Sequence, residues 1–258
     1  MTRGRATHGP VPRMQMHPNQ LTVSTETVRA LVDDQFPEWR GLPIRSVESQ
    51  GTVNAIFRIG DHLAARFPLQ PEDVESTRRW LKAEVDAARE LVGRTRFATP
   101  EPVALGEPAA DYPLPWSVQT WVPGVVATDD DPAGSVAFAH DLAEFIGDVR
   151  RIDTRGRTFS GRGRGGDLPS HDAWMETCFN HSEGLMDVPR LRELWAVLRS
   201  LPRGGPGDVM THGDLEWERG QAWAFQQAMG LVWYYLDTNP AMSRVGRRTL
   251  GRILPGID

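Results

Sequence analysis

Apolar positions along the chain change their spacing twice. Over residues 25–36 they recur at helical intervals behind Ser24, whose hydroxyl suits an N-cap. Residues 44–47, 54–59 and 62–67 are short runs, the first two carrying β-branched Ile or Val, punctuated by Gly51 and Gly60-Asp61. They predict a meander of three antiparallel strands. Helical spacing returns over 75–92, where Trp80, Leu81, Val85, Ala88 and Leu91 recur. Residues 100–105 and 117–121 predict two more strands. Beyond Pro123-Gly124 the pattern is helical. Residues 136–152 set Phe138, Leu142, Phe145, Ile146 and Val149 on one side. Residues 160–167 are rich in Gly and Arg and predict a mobile loop. Helices are predicted over 172–185, over 189–201 with Pro189 opening it, over the Trp- and Phe-rich 215–236, and over 243–254.

This order predicts an α+β protein with two lobes. Residues 21–121 form a small sheet-rich amino lobe and residues 122–258 a helical carboxy lobe. Three strands, a helix and two strands is the order of a kinase amino-terminal lobe, although other α+β folds share it. Residues 1–20 carry Arg3, Arg5 and Arg13 but no apolar segment of the signal-peptide kind, and read as a disordered leader. Met14 and Met16 stand as alternative starts within it.

Composition narrows the function. A chain of 258 residues suffices for one large domain or two modest ones. A hydrophobic fraction of 40% and a charged fraction of 24% are those of a folded globular protein. The net charge of −5 argues against a general nucleic-acid binder, which needs a basic face to neutralise phosphates. Arg162-Gly163-Arg164 is short and lacks interleaved aromatics, so it reads as a solvated loop. The apolar run 222–236 is interrupted by Gln226 and Gln227 and falls short of the roughly 20 residues of a membrane span. A cytoplasmic location without membrane or nucleic-acid partners is expected. The single cysteine, Cys178, excludes an internal disulfide and makes a reducing compartment the default. Beside Trp174-Met175 and Phe179 it reads as a small packed residue and not as a nucleophile. His171 and His181 are not spaced to meet, so no zinc site is indicated.

Thr211-His212-Gly213-Asp214-Leu215, behind a short predicted strand at Asp208-Val209-Met210, carries the chemistry. The kinase catalytic loop has the form H-x-D-L-x-x-x-N, in which Asp accepts the proton of the substrate hydroxyl and Asn holds a metal. The carboxylate must meet the attacking oxygen in line with phosphorus, and Mg²⁺ needs several oxygen ligands in near-octahedral array.

Four further segments accompany this motif: Gly51-Thr52-Val53-Asn54-Ala55, FATPEPVALG at 97–106, Tyr112-Pro113-Leu114-Pro115-Trp116-Ser117-Val118, and the stretch from Val232-Trp233-Tyr234-Tyr235 to Asn239-Pro240. With them the chain resembles the aminoglycoside phosphotransferase family over about residues 20–254. The resemblance implies a protein-kinase-like two-lobed fold, ATP as phosphoryl donor, Mg²⁺ as the family's metal and a small-molecule hydroxyl as acceptor. It implies that the turn over 49–54, with Gly51, Thr52 and Asn54, covers the phosphates. Arg66 takes the place of the kinase lysine on the α- and β-phosphates, and Glu84 pairs with it. Gln119 to Trp121 form the hinge that meets adenine, and Asp214 is the base. Plainer readings stand beside these. Gly51 closes a hairpin, Arg66 and Glu84 are a surface ion pair, and 119–121 is an ordinary strand. Glu75 and Glu90 are alternatives to Glu84 on the same predicted helix.

The pattern breaks after Asp214. The metal-binding Asn falls five residues on, at Arg219. The later strand ending in a second metal-binding Asp is missing: the later aspartates are Asp237 and Asp258, and Asn239 is the only later asparagine. In the resembled proteins a run like 215–225 opens a late helix some tens of residues beyond the catalytic loop. An in-frame internal deletion after His-Gly-Asp-Leu accounts for the junction, and no metal ligand set remains. Asp214 is then either a catalytic base or the N-cap of the helix that follows. The expected protein is a crippled phosphotransferase or a non-catalytic pseudokinase. Trp217, Trp223, Phe225 and Trp233 are expected to lose burial partners, with self-association through the carboxy lobe.

Overall fold

A computed structural model describes residues 15–48, 51–109, 111–125, 134–158, 166–202, 210 and 217–254, with the side chains of 217–219 outside the description. Helix α1 (Thr25–Gln35) begins where Ser24 Oγ accepts from the Thr27 N–H at 3.1 Å, and it buries Val28, Leu31 and Val32. The sheet comprises β1 (Ile44–Ser46), β2 (Asn54–Ile59), β3 (Leu63–Pro68), β4 (Pro102–Gly106) and β5 (Trp116–Thr120). Its order is β1-β2-β3-β5-β4, antiparallel throughout. The β4–β5 register slips between Pro102 and Ala104, at the residue that has no ladder donor. Between β3 and β4 runs α2 (Val74–Leu91), whose N-cap Asp73 accepts from the Ser76 N–H at 2.8 Å.

Period-two alternation directs Ala55, Phe57 and Ile59 of β2 and Ala65 and Phe67 of β3 into the amino-lobe core beneath α1. There Phe67 stacks on Trp116 at 4.8 Å and meets Tyr112 edge-on at 5.1 Å. The Tyr112 hydroxyl donates to the Pro68 carbonyl at 2.7 Å. Gly106 is required by this packing: a Cβ there would lie 2.1 Å from Trp116 Cε2. The 97–106 and 112–118 motifs are thus one structural unit, the second filling the core and the first making room for it.

The carboxy lobe has its own core, built by α4 (Asp172–Ser182), α5 (Val188–Leu198), α6 (Trp217–Tyr234) and α7 (Pro240–Ile253). Helix α7 lies so close on α6 that a Cβ at Gly246 would sit 2.8 Å from the Ala228 carbonyl oxygen, and Ser243 Oγ donates to the Val232 carbonyl at 2.7 Å. Cys178 is fully buried here, as a packed residue. Burial pushes its thiol up to about 11, which leaves it protonated and inert near neutrality.

Three expectations are corrected. Trp223 and Phe225 keep their burial, at 2% and 0% exposed, because α4, α5 and α7 surround α6; Trp233 is half-buried, and the Trp217 side chain is outside the description. Exposed apolar side chains cluster instead on α3 (Val136–Arg150), where Val136, Phe138 and Leu142 are 72%, 47% and 41% exposed. That helix is held to the segment before β4 by ion pairs from Arg96 to Asp141 and Glu144 and by a Phe97–Phe145 ring contact at 6.0 Å. Third, the end of the expected leader is ordered. His17 is 5% exposed, and the Leu21 N–H donates to the Leu69 carbonyl at 2.8 Å. The loop over 160–165 and the predicted strand residues 208 and 209 lie outside the described residues. No helix among the described residues is long and apolar enough to cross a membrane.

Candidate functional site

On β3 the alternation that buries Ala65 and Phe67 turns Arg66 to the other face of the sheet, where α2 supplies Glu84. The contact is two-pronged, with Nη1 to Oε2 at 3.1 Å and Nη2 to Oε1 at 3.4 Å. The two alternatives on the helix are engaged elsewhere. Glu75 pairs with Arg78, and Glu90 takes both arms of Arg157 at 2.9 and 2.6 Å, which hold its carboxyl below the usual carboxylate range. Lys82, on α2, is the chain's only lysine, so the cation of β3 is an arginine without a lysine rival.

Arg66 lies opposite Ile56, two residues into β2 from Asn54 and so at the strand end that follows the turn. Ser49 and Gln50 of that turn are outside the described residues. Gly51 is exposed, Val53 is 57% exposed, and the Val53 carbonyl accepts from the Leu69 N–H at 2.9 Å. Asn54 Oδ1 is buried with no hydrogen-bond partner among the described residues. The Thr52 carbonyl meets His17 Nε2 at 2.6 Å, while His17 Nδ1 meets the Tyr234 hydroxyl at 3.0 Å. His17 therefore ties the turn of the amino lobe to the end of α6. Nothing in the sequence pattern singled it out, because its partners lie 35 and 217 residues away.

Residues 119–121, the expected hinge, are paired within the sheet. Gln119 is paired with both Ala64 and Pro102, the Thr120 N–H donates to Glu101 O at 2.8 Å, and the Trp121 N–H donates to His62 O at 2.7 Å. The sheet consumes these amides. The first backbone N–H beyond it is that of Val122, since Pro123 has none. Trp121 instead carries the Arg58 guanidinium over its ring at 4.9 Å.

Residues 211–216, with His212 and Asp214, lie outside the described residues, and α6 begins at Trp217. Among the described residues no group of three or more His, Cys, Asp or Glu is placed to hold a metal ion. His171 meets Trp223 edge-on at 4.9 Å and His181 stacks on Trp233 at 4.3 Å, so both rings serve packing. What the described geometry offers chemically is a guanidinium braced by a carboxylate near the start of β2, suited to an anionic ligand.

The solved structure of APH(2")-IIIa with GDP and kanamycin is similar in fold, with a TM-score of 0.54 at 16% identity over 87% of this chain and 82% of that one. A GDP complex of a point mutant of aminoglycoside 2'-phosphotransferase-IIIa gives 0.51 at 15% identity over 88% and 82%. No curated protein matches the chain. The sequence model of the phosphotransferase enzyme family (APH) matches residues 45–216, well over half of the chain, from the first strand to just past the His-Gly-Asp-Leu motif. With its antiparallel amino lobe and helical carboxy lobe in the same kinase-like arrangement, the chain belongs to the phosphotransferase enzyme family.

Proposed function

We propose that this chain retains a nucleotide site in its amino lobe and is crippled as an ATP-dependent phosphotransferase on small-molecule hydroxyls. The observation that carries the nucleotide reading is the two-pronged Arg66–Glu84 contact across the sheet and α2. Glu84 occupies two of the five donors of the guanidinium, which leaves the others for phosphate oxygens beneath residues 51–54. The Val122 N–H, free of the sheet, is the candidate contact for adenine, and Gln119 and Trp121 shape the strand that presents it.

The crippled reading rests on the junction after Asp214. The family match ends at residue 216 and α6 starts at Trp217, which leaves no room for a strand carrying a second metal ligand. Arg219 stands at the position of the metal-binding Asn. Among the described residues no cluster of carboxylates or histidines fits a bound Mg²⁺. An internal deletion in the ancestry of the chain accounts for this. The exposed Val136, Phe138 and Leu142 of α3 favour self-association of the carboxy lobe. A pseudokinase without any transfer activity is the second reading, favoured by the same junction.

ATP is titrated with and without Mg²⁺. Weak binding of equal affinity in the two conditions is expected, and a large gain on adding Mg²⁺ would reveal a metal site and overturn the proposal.

A further inference from the structure

Between α4, α6 and the ordered amino-terminal segment lies an open cleft of about 340 Å³. Trp174, Tyr234 and Tyr235 give it ring surfaces, and Gln70, Gln226 and Gln227 give it amides. No Asp, Glu, Lys or Arg occurs among the described residues that line it. The walls are braced. His17 holds the Tyr234 hydroxyl at 3.0 Å and meets the Thr52 carbonyl at 2.6 Å, and Gln227 Nε2 donates to Gln226 Oε1 at 2.8 Å. The space depends on a glycine: a Cβ at Gly230 would approach Trp174 Cζ2 to 3.2 Å, so a larger side chain there would grow into the cleft.

This lining selects a chemistry. Aromatic faces accept rings by stacking, and primary amides both donate to and accept from hydroxyls. The volume is at the small end of the range for small-molecule pockets, roughly 300–1,000 Å³. A polycation entering the cleft would give up hydration with no carboxylate on the wall to replace it. We propose that the cleft between α4 and α6 binds an uncharged, ring-bearing, hydroxylated molecule of aryl-glycoside type and does not accept a polycation. Its wall at His17, which meets the Thr52 carbonyl, sets it beside the turn over 51–54, but binding there requires neither nucleotide nor metal.

The probes are phenyl β-D-glucopyranoside and kanamycin, each titrated alone into the full chain and followed by saturation-transfer NMR. Transfer to the aryl and sugar protons of the glucoside is expected, with affinity at least tenfold weaker in Trp174→Ala and in Gly230→Leu, and no transfer to kanamycin. Trp174 is 40% exposed, so its truncation spares the core, and thermal melts check that both variants fold. Absence of transfer to the glucoside, undiminished transfer in both variants, or displacement of the glucoside by kanamycin would each overturn the assignment. Because no ATP is present, the result is independent of the nucleotide reading.

Discussion

Truncation of Arg66 distinguishes a phosphate-binding group from a surface ion pair, because the two roles differ in size and in the quantity they move. The side chains of Arg66 and Glu84 are 24% and 36% exposed. A pair so open to solvent stabilises a fold by about 0–1 kcal/mol, since screening and side-chain entropy consume most of the attraction. A hydrogen bond to a charged group contributes about 1.5–3 kcal/mol, and each 1.4 kcal/mol is tenfold in affinity. Arg66→Ala is therefore expected to weaken ATP binding by about 10- to 150-fold while moving the melting temperature by only a few degrees. Glu84→Gln leaves the cation in place without its brace, and a smaller loss of affinity at nearly unchanged stability is expected. Isothermal titration with ATP and thermal melts of all three proteins provide the data. Unchanged ATP affinity in Arg66→Ala would refute the reasoning and leave the pair as surface decoration.

Gly106→Ala forces a Cβ to 2.1 Å from a fully buried Trp116, and is expected to cost at least about 1–3 kcal/mol, read as a fall of several degrees in melting temperature. An unchanged melt would contradict the packing. Tyr112→Phe strands the buried Pro68 carbonyl, at about 1–3 kcal/mol by urea unfolding near neutral pH. Burial raises the Tyr112 phenol above its usual value, so its stabilising effect is intact below the unfolded value of about 10 and is lost as pH rises beyond it. The loss of stability above that pH should accordingly be shallower in Tyr112→Phe. Phe138→Ser combined with Leu142→Ser removes apolar surface from α3, and sedimentation velocity should show concentration-dependent association in the parent chain and not in this variant. Equal behaviour of the two would place the association elsewhere or dismiss it.

The amino lobe was largely legible in the sequence because its signals are local. Period-two runs, Gly60 at a positive φ of 60° between β2 and β3, and the Ser24 cap fix its elements to within a residue or two. Choosing Glu84 over Glu75 and Glu90 required three dimensions, because all three lie on one helix and only its seating on the sheet decides which carboxylate meets Arg66. Pairing of β5 with β3 runs on through Trp121, a matter of register that propensity does not report. The start of α7 at Pro240 behind Asn239 was available from the sequence, as a cap residue followed by a first-turn proline, and was placed three residues late. The burial of α6 was misjudged because aromatic content says how much surface a helix must cover and not which neighbour covers it. His17 had no local signal at all.

Phosphoryl transfer leaves a protein little covalent work, so catalysis is positioning and charge stabilisation. Loss of one preorganised group commonly costs about 10²–10³ in rate, and a metal that polarises phosphoryl oxygens contributes several kcal/mol more. On the proposed reading, Arg219 in the place of the metal-binding Asn, with no later Asp but Asp237 and Asp258, removes that support from Asp214. The decisive measurement incubates the chain with ATP, Mg²⁺ and a panel of aminoglycosides and macrolides, beside an Asp214→Ala control, and follows phosphorylated product by mass spectrometry. The account predicts no product above the control. Product that forms with the parent chain and disappears in Asp214→Ala would contradict it and restore an ordinary working enzyme.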